Sequence, residues 1–475
     1  MLGEDVLYMS VWELGERIGT RQVSPVELTE AYLERLERIG PQLGAVATLT
    51  RELAMEQARA AERELAAGHS RGPLHGIPYG AKDLLATRGI PTTWGAPPFK
   101  NRVFDYDATV VRRLREAGAI LVAKLAMIEL AGAGGYANVK ASLQGAARCP
   151  HNTDYWAGGS SSGPAAAVAA GLVGFAIGSE ALGSIITPAA FCGVSGLRPT
   201  YGRVSRHGTM PLSWTLDKLG PMCRQGVDCG LVLNAIAGED AADETSWREP
   251  FYWWPPNDEK RARSLAGKKL GVIRPGLVAQ MDAEVGAAFD AALEVLRKIG
   301  ARIEPVQLPE YPYGAVAETI CLAEAASVFR PLVESGQVNE LLDDSQKAGL
   351  IAAQSLRAAD YLDACRLRTK IQAELARLLE KCDALVAPSA LSPAPRVDRE
   401  FAAALPGGSE RFNLIAASNL AGLPAISVPC GFTKEQHLPI GIQFVCDAWR
   451  EDACIEIAHA FQLATDWHTR WPAGL

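Results

Sequence analysis

The chain has 475 residues, 48% of them hydrophobic, and a formal net charge of −7. That is ample for a large buried core, and the acidic balance lacks the basic footprint of a nucleic-acid binder, so no nucleic-acid partner is expected. Ten cysteines without a CxxC pair read as reduced, mostly buried thiols of a cytoplasmic protein with no metal site.

In chain order, residues 1–70 read as a helical N-terminal segment. The first residues, Met1-Leu2-Gly3-Glu4-Asp5, are acidic where a signal peptide would be basic. Ser24-Pro25-Val26-Glu27 reads as a capping box with proline at the first helical position. Leu28, Tyr32, Leu33 and Leu36 follow at helical spacing, and a second helix is expected over 51–67. Residues 71–205 form a core segment that opens on a turn-rich stretch, 72–78, ahead of Lys82. From Asp107 onward helices at 108–117 and 164–170 alternate with strands at 119–123 and 172–177, the pattern of an α/β fold with a buried sheet. The longest apolar stretch, 164–178, is too short and too glycine-rich to span a bilayer, so no membrane partner is expected. A surface loop region is expected over 240–268, with Trp253 and Trp254 packing back onto the body. The remainder, 269–475, carries strands at 269–273, 384–387, 425–428 and 440–445. Its helices are expected at 283–299, 358–379 and 453–464.

The run Gly158-Gly159-Ser160-Ser161-Ser162-Gly163 precedes a small-residue helix. Alone, such a run is usually a flexible loop. The apolar helix behind it makes it a place where backbone and substrate approach closely. The run also fits G-x-S-x-G with Ser161 in the middle, a nucleophile elbow. An elbow needs a strand directly before it, where Cys149-Pro150-His151-Asn152-Thr153-Asp154 is polar and turn-like. It also needs a late histidine, for which His459 and His468 are available.

A different reading joins three segments: Gly76-Ile77-Pro78-Tyr79-Gly80-Ala81-Lys82-Asp83-Leu84, the Gly/Ser run, and Gly183-Ser184-Ile185 leading into 188–200. Together they resemble the amidase signature family, with Ser160 and Ser184 lying 24 residues apart as in that family. Residues 419–429, 438–444 and Trp467-His468 resemble its C-terminal part, so the likeness covers most of the chain. It implies one α/β domain over 1–475, a mixed central sheet surrounded by helices, with no cofactor. Ser184 would be the nucleophile. Ser160, at a cis peptide, would relay its proton to Lys82 as base, and Ser161 would support the relay. Backbone N–H groups of Ala181, Leu182, Gly183 and Ser184 would form the oxyanion hole.

A serine hydroxyl needs a base, and lysine serves as one only when neutral. Its ordinary pKa of about 10.4 must fall, which burial achieves. Ile77, Ala81, Leu84 and Leu85 around Lys82 are apolar or small, Asp83 aside. The sequence departs from the family at Glu180-Ala181-Leu182-Gly183-Ser184, where Asp-Thr-Gly-Gly-Ser is usual. Either position 182 does not need positive φ, or the loop is altered, because leucine resists angles that glycine accepts. Ile186 stands where many members carry arginine, a carboxylate partner, and Leu125-Ala126 replaces a common Thr-Asn. These changes predict an apolar substrate pocket at Leu125, Met127, Leu130 and Ile186. The expected reaction is C–N hydrolysis of a small-molecule substrate, a neutral amide or carbamate with apolar or aromatic flanks. Bacterial aryl acylamidases and urethanases of the family resemble the chain in this. Two alternatives stand beside it. A glutaminase subunit of a tRNA-dependent amidotransferase shares the triad, but Ile186 counts against it. A non-catalytic scaffold is disfavoured by the retention of Lys82, Ser160 and Ser184.

Overall fold

Among the described residues eleven strands form one sheet: β1 (Val46–Leu49), β2 (Pro78–Lys82), β3 (Ile120–Leu125), β4 (Phe175–Glu180), β5 (Ser195–Arg198), β6 (Lys218–Cys223), β7 (Lys269–Val272), β8 (Arg302–Pro305), β9 (Ala384–Pro388), β10 (Ala425–Phe432) and β11 (Pro439–Val445). Their order is β1-β3-β2-β4-β6-β5-β10-β11-β9-β7-β8. This computed structural model describes residues 2–274, 281–399 and 413–475. The sheet is mixed. β2 runs parallel to β3 and β4, and β7 parallel to β8 and β9, while β4–β6, β5–β6, β5–β10 and β10–β11 are antiparallel.

Alternation along the central strands explains why both faces are covered. Tyr79 and Ala81 of β2, Leu121 of β3, and Phe175 and Ile177 of β4 join one apolar cluster. Ile120 and Val122 of β3 and Ala176 of β4 join another on the opposite face. Successive side chains of a strand point to opposite faces, and strands buried on both sides read as continuous apolar runs. The small-residue helix Ser162–Ala169 packs against this sheet because it has almost no side chains to hold it off. A Cβ on Gly163 would lie 2.5 Å from the Ala126 nitrogen and the Ala45 oxygen, so only glycine permits that approach.

The helices over 51–67, 283–299 and 358–379 are observed at Arg51–Ala66, Ala283–Lys298 and Ala358–Leu379. Ser24 caps its helix by accepting from Val26 and Glu27 nitrogens, but its hydroxyl donates to Glu62. The reciprocal capping box sits one helix earlier, at Ser10 and Glu13. Strands β1, β2, β5, β6 and β8 lie where no strand was expected. Residues 78–82, which follow the expected turn-rich stretch 72–78, are a fully buried strand. Trp253 packs onto the body, 8% exposed, whereas Trp254 is 42% exposed.

Candidate active site

The chemistry sits where parallel strands end. Pairing of Ala81 with Ile177 brings the carboxyl ends of β2 and β4 side by side, the usual place for ligands in an α/β sheet. Lys82 closes β2, Ser179 stands near the end of β4, and the Gly158–Ser161 loop crosses above them. The Gly159–Ser160 peptide bond is cis.

Lys82 is completely buried. Its Nζ lies 2.8 Å from Ser160 Oγ, 3.0 Å from Ser161 Oγ and 2.9 Å from Ser179 Oγ. Burial holds its pKa down at about 7, with the charges of Asp217 and Glu180 opposing the fall. Asp83 is not its partner. That carboxylate is turned away to Lys124 Nζ at 3.1 Å and to the Thr93 nitrogen at 3.0 Å. The hydroxyl orientations follow from the remaining bonds. Ser161 Oγ donates to the Ser179 carbonyl and accepts from the Ser179 nitrogen, both at 3.2 Å, so toward Lys82 it acts as acceptor. A neutral amine has two N–H donors and one lone pair. With donors aimed at Ser161 and Ser179, the lone pair is left for the Ser160 hydroxyl.

Ser184 is half-buried and lines the same cavity as Ser160 and Ser179. Among the described residues its Oγ makes no hydrogen bond, so no Ser160–Ser184 bond is formed here; catalytic hydrogen bonds often tighten only with substrate. The loop before it is held from behind. Glu180 Oε2 accepts from the Ile185 nitrogen at 2.7 Å and the Ile186 nitrogen at 3.0 Å. Its Oε1 accepts from Arg198 Nη1 at 2.7 Å and Asn419 Nδ2 at 2.8 Å. The N–H groups of Leu182, Gly183 and Ser184 donate to no acceptor among the described residues, which leaves them free for an oxyanion. Leu182 does not strain this loop. Its left-handed position is Gly183, at φ +85°, and Leu182 is not in that region.

Two cavities meet at Ser184, Ala181, Ala131 and Leu212. The smaller, about 200 Å³, also touches Leu84, Ser160, Ser179, Arg206, Trp214 and Asp217. The larger, about 400 Å³, runs between Gly132–Tyr136, Leu182, Glu318, Cys321 and Leu322. The pocket expected from sequence is therefore corrected. Leu125, Met127, Leu130 and Ile186 are each 0% exposed and line neither cavity. They pack into the apolar clusters behind the site, because neighbours of a catalytic residue in sequence are as often its scaffold as its pocket. The elbow reading finds no strand before the run; residues 149–154 are loop and turn. His459 lies at another cavity, and the His468 carbonyl accepts from Arg224. Sequence reasoning missed Ser179 and Asp217; the alternation of β4, which separates Ser179 from its neighbours Gly178 and Glu180, is the signal that could have found the former.

Among the described residues no group of His, Cys, Asp and Glu is placed to hold a metal, and no helix is long and apolar enough to cross a membrane.

A family model described as Amidase matches residues 27–455. One component of the glutamyl-tRNA(Gln) amidotransferase of Methylococcus capsulatus (strain ATCC 33009 / NCIMB 11132 / Bath) is 37% identical over 98% of both chains. A protein from a complex reported to reveal the evolutionary origins of an s-triazine catabolic enzyme superposes with a TM-score of 0.87, at 29% identity over 96% of this chain and 98% of its own. The peptide amidase of Stenotrophomonas maltophilia superposes with a TM-score of 0.83, at 32% identity over 96% and 97%. The amidotransferase relative corrects one expectation. Net charge argues against a nucleic-acid partner, yet a chain 37% identical is one component of a glutamyl-tRNA(Gln) amidotransferase. Net charge is a sum over the whole chain and carries no information about a local surface or about nucleic acid reached through other subunits. With a family match over residues 27–455 and this buried lysine–serine cluster at the strand ends, the chain belongs to the Amidase family, the C–N hydrolases that carry the amidase signature.

Proposed function

We propose that this chain hydrolyses neutral amides or carbamates with apolar or aromatic flanks, using Ser184 as nucleophile, Ser160 as relay and Lys82 as base. Ser184 Oγ attacks the carbonyl carbon as its proton passes to Ser160, whose own proton passes to the Lys82 lone pair. The oxyanion is met by the N–H groups of the Leu182–Ser184 loop. The same protons return through Ser160 to the departing nitrogen, and water then releases the acyl group by the same route. A carbamate follows the identical path, with an oxygen on the other side of the carbonyl.

The observation that carries the substrate class is the wall of the larger cavity. Among the described residues no lysine, arginine or histidine lines it. Arg206, in the smaller cavity, is already engaged by the Trp214 carbonyl, Thr245 Oγ1 and Asp243. In the larger cavity a substrate carboxylate would be desolvated without a cationic partner, whereas apolar groups gain roughly 25 cal/mol per Å² buried.

A second reading has its own observation: 36–37% identity to amidotransferase subunits over 98% of the chain. On that reading the chain releases ammonia from glutamine inside an assembly that serves glutamyl-tRNA, and Glu318 would face the substrate ammonium. Likeness over the whole chain favours this second reading; the cavity wall favours the first. The test is kcat/KM for a neutral anilide or aryl carbamate against glutamine. Glutamine better by tenfold or more, with copurifying partner proteins, would establish the second reading and overturn the first.

A further inference from the structure

The two cavities are not equivalent with respect to the relay. Ser160 and Ser179 border the smaller one and not the larger. Given the proposed reaction, on which this inference rests, the proton stored on Lys82 returns through Ser160 to the leaving nitrogen. The leaving amine must therefore occupy the smaller cavity and the acyl group the larger. At about 200 Å³ the amine side has room for one aromatic ring, since a cavity of ~150 Å³ takes up benzene.

Asp217 lines that amine-side cavity. Only one of its oxygens is used: Oδ2 accepts from the Leu212 nitrogen at 2.8 Å and the Ser213 nitrogen at 2.9 Å. Those two bonds fix the carboxylate in place. Among the described residues Oδ1 has no hydrogen-bond partner. Asp217 is half-buried at the cavity wall, and Oδ1 is not sealed from solvent. The nearby guanidinium of Arg206 makes its hydrogen bonds to the Trp214 carbonyl and Thr245 Oγ1 and pairs with Asp243, so it gives Asp217 no hydrogen bond, although its charge and that of Lys218 favour the ionised carboxylate. We propose that Asp217 is a specificity-determining residue that accepts a hydrogen bond from a second amino group on the leaving amine, so that the favoured substrates release diamines or aminoanilines.

The carboxyl group is ready for that role in mildly alkaline solution. Burial raises it to about 6, against the lowering effect of its two backbone N–H bonds, so it is ionised at assay pH above 7. A hydrogen bond to an ionised acceptor is among the stronger kinds, and a tenfold selectivity is its expected scale.

The test compares two acyl anilides that differ only at the para position, amino against methyl. The wild type is expected to favour the amino substrate by about tenfold in kcat/KM, and Asp217→Asn to reduce that ratio to within about twofold. A general effect of the substitution on Lys82 would change both rates and leave the ratio intact. Calorimetric titration of wild type and Asp217→Asn with 1,4-phenylenediamine and with 4-methylaniline gives a second readout that needs no turnover. The diamine should bind the wild type about tenfold more tightly, and the variant without preference. Turnover of both anilides with a ratio near one, or a ratio unchanged in Asp217→Asn, overturns the inference and leaves the hydrolase reading standing. Turnover of neither anilide overturns the hydrolase reading, and the titrations then decide the role of Asp217 separately.

Discussion

Replacing Lys82 by methionine should abolish turnover and, at neutral pH and below, make the protein more stable. The native amine has a pKa of about 7 because burial disfavours its charge, against about 10.4 in an unfolded chain. Below pH 7 both states are protonated, and the native state bears the full penalty of burying the cation, about 5 kcal/mol at 1.36 kcal/mol per pH unit. The penalty shrinks as pH rises through the window between the two values, and it is gone once the unfolded chain is also neutral. Methionine fills a similar volume but forfeits contacts with three hydroxyls, at about 1 kcal/mol each. The net gain is therefore about 2 kcal/mol below pH 7. It falls by about 1.4 kcal/mol for each further pH unit and changes sign between about pH 8 and pH 9. Urea unfolding of both proteins at intervals from about pH 6 to about pH 9 checks this. A stability difference that is flat across that range would show that Lys82 is not a neutral buried amine, and the base assignment would go with it.

Ser184→Ala should form no adduct with a fluorophosphonate probe, while peptide mapping of the wild type places the adduct on Ser184; an adduct on Ser161 would restore the elbow reading. In the wild type kcat/KM should rise through about pH 7 as Lys82 loses its proton, and Lys82→Arg should stay inactive because guanidinium remains protonated. Ser179→Ala removes an acceptor that favours the charged amine, so the midpoint of that profile should move to lower pH; an unmoved midpoint would mean Ser179 has no hold on Lys82. Glu180→Gln leaves the buried Arg198 guanidinium without its counter-charge and should lower stability by about 3–5 kcal/mol, measured by urea unfolding; a loss under about 1 kcal/mol would refute the pairing of Glu180 with Arg198 behind the loop.

The convergence of Lys82, Ser160 and Ser184 on one place was legible because each lies in a short motif whose residue types serve one chemistry. Ser179 was not, because its contact with Lys82 depends on parallel pairing between strands that places together two residues 97 positions apart in the chain. The same holds for β2 itself. Pro78-Tyr79-Gly80-Ala81-Lys82 has the composition of a turn, and it is a strand because Gly80 lets Leu125 of β3 come where a Cβ would stand, 2.3 Å away. The pocket failed for a related reason. Leu125, Met127, Leu130 and Ile186 are apolar and close in sequence to the signature, but apolar residues beside a buried lysine supply its desolvation as readily as they supply a substrate wall.

The departures from the usual family text divide along that line. Glu180 stands where aspartate is usual, and its longer arm still reaches four donors: the Ile185 and Ile186 nitrogens, Arg198 and Asn419. Ile186, in place of arginine, is sealed in the cluster with Leu216, Ile320 and Ile415, so it changes what lies behind the loop without touching either cavity. Leu182 differs from both. Its backbone needs no left-handed conformation, which Gly183 supplies instead, and its side chain lines the larger cavity. Of these three departures it alone lines a cavity; on the proposed mechanism it would act on substrate choice without altering the N–H groups assigned to the oxyanion. Leu182→Gly should therefore keep Ser184 reactive toward a fluorophosphonate while raising KM for bulky apolar acyl groups more than for acetyl. A variant that instead lost labelling would mean the leucine holds the oxyanion loop, and chemistry and recognition would not be separable at this site.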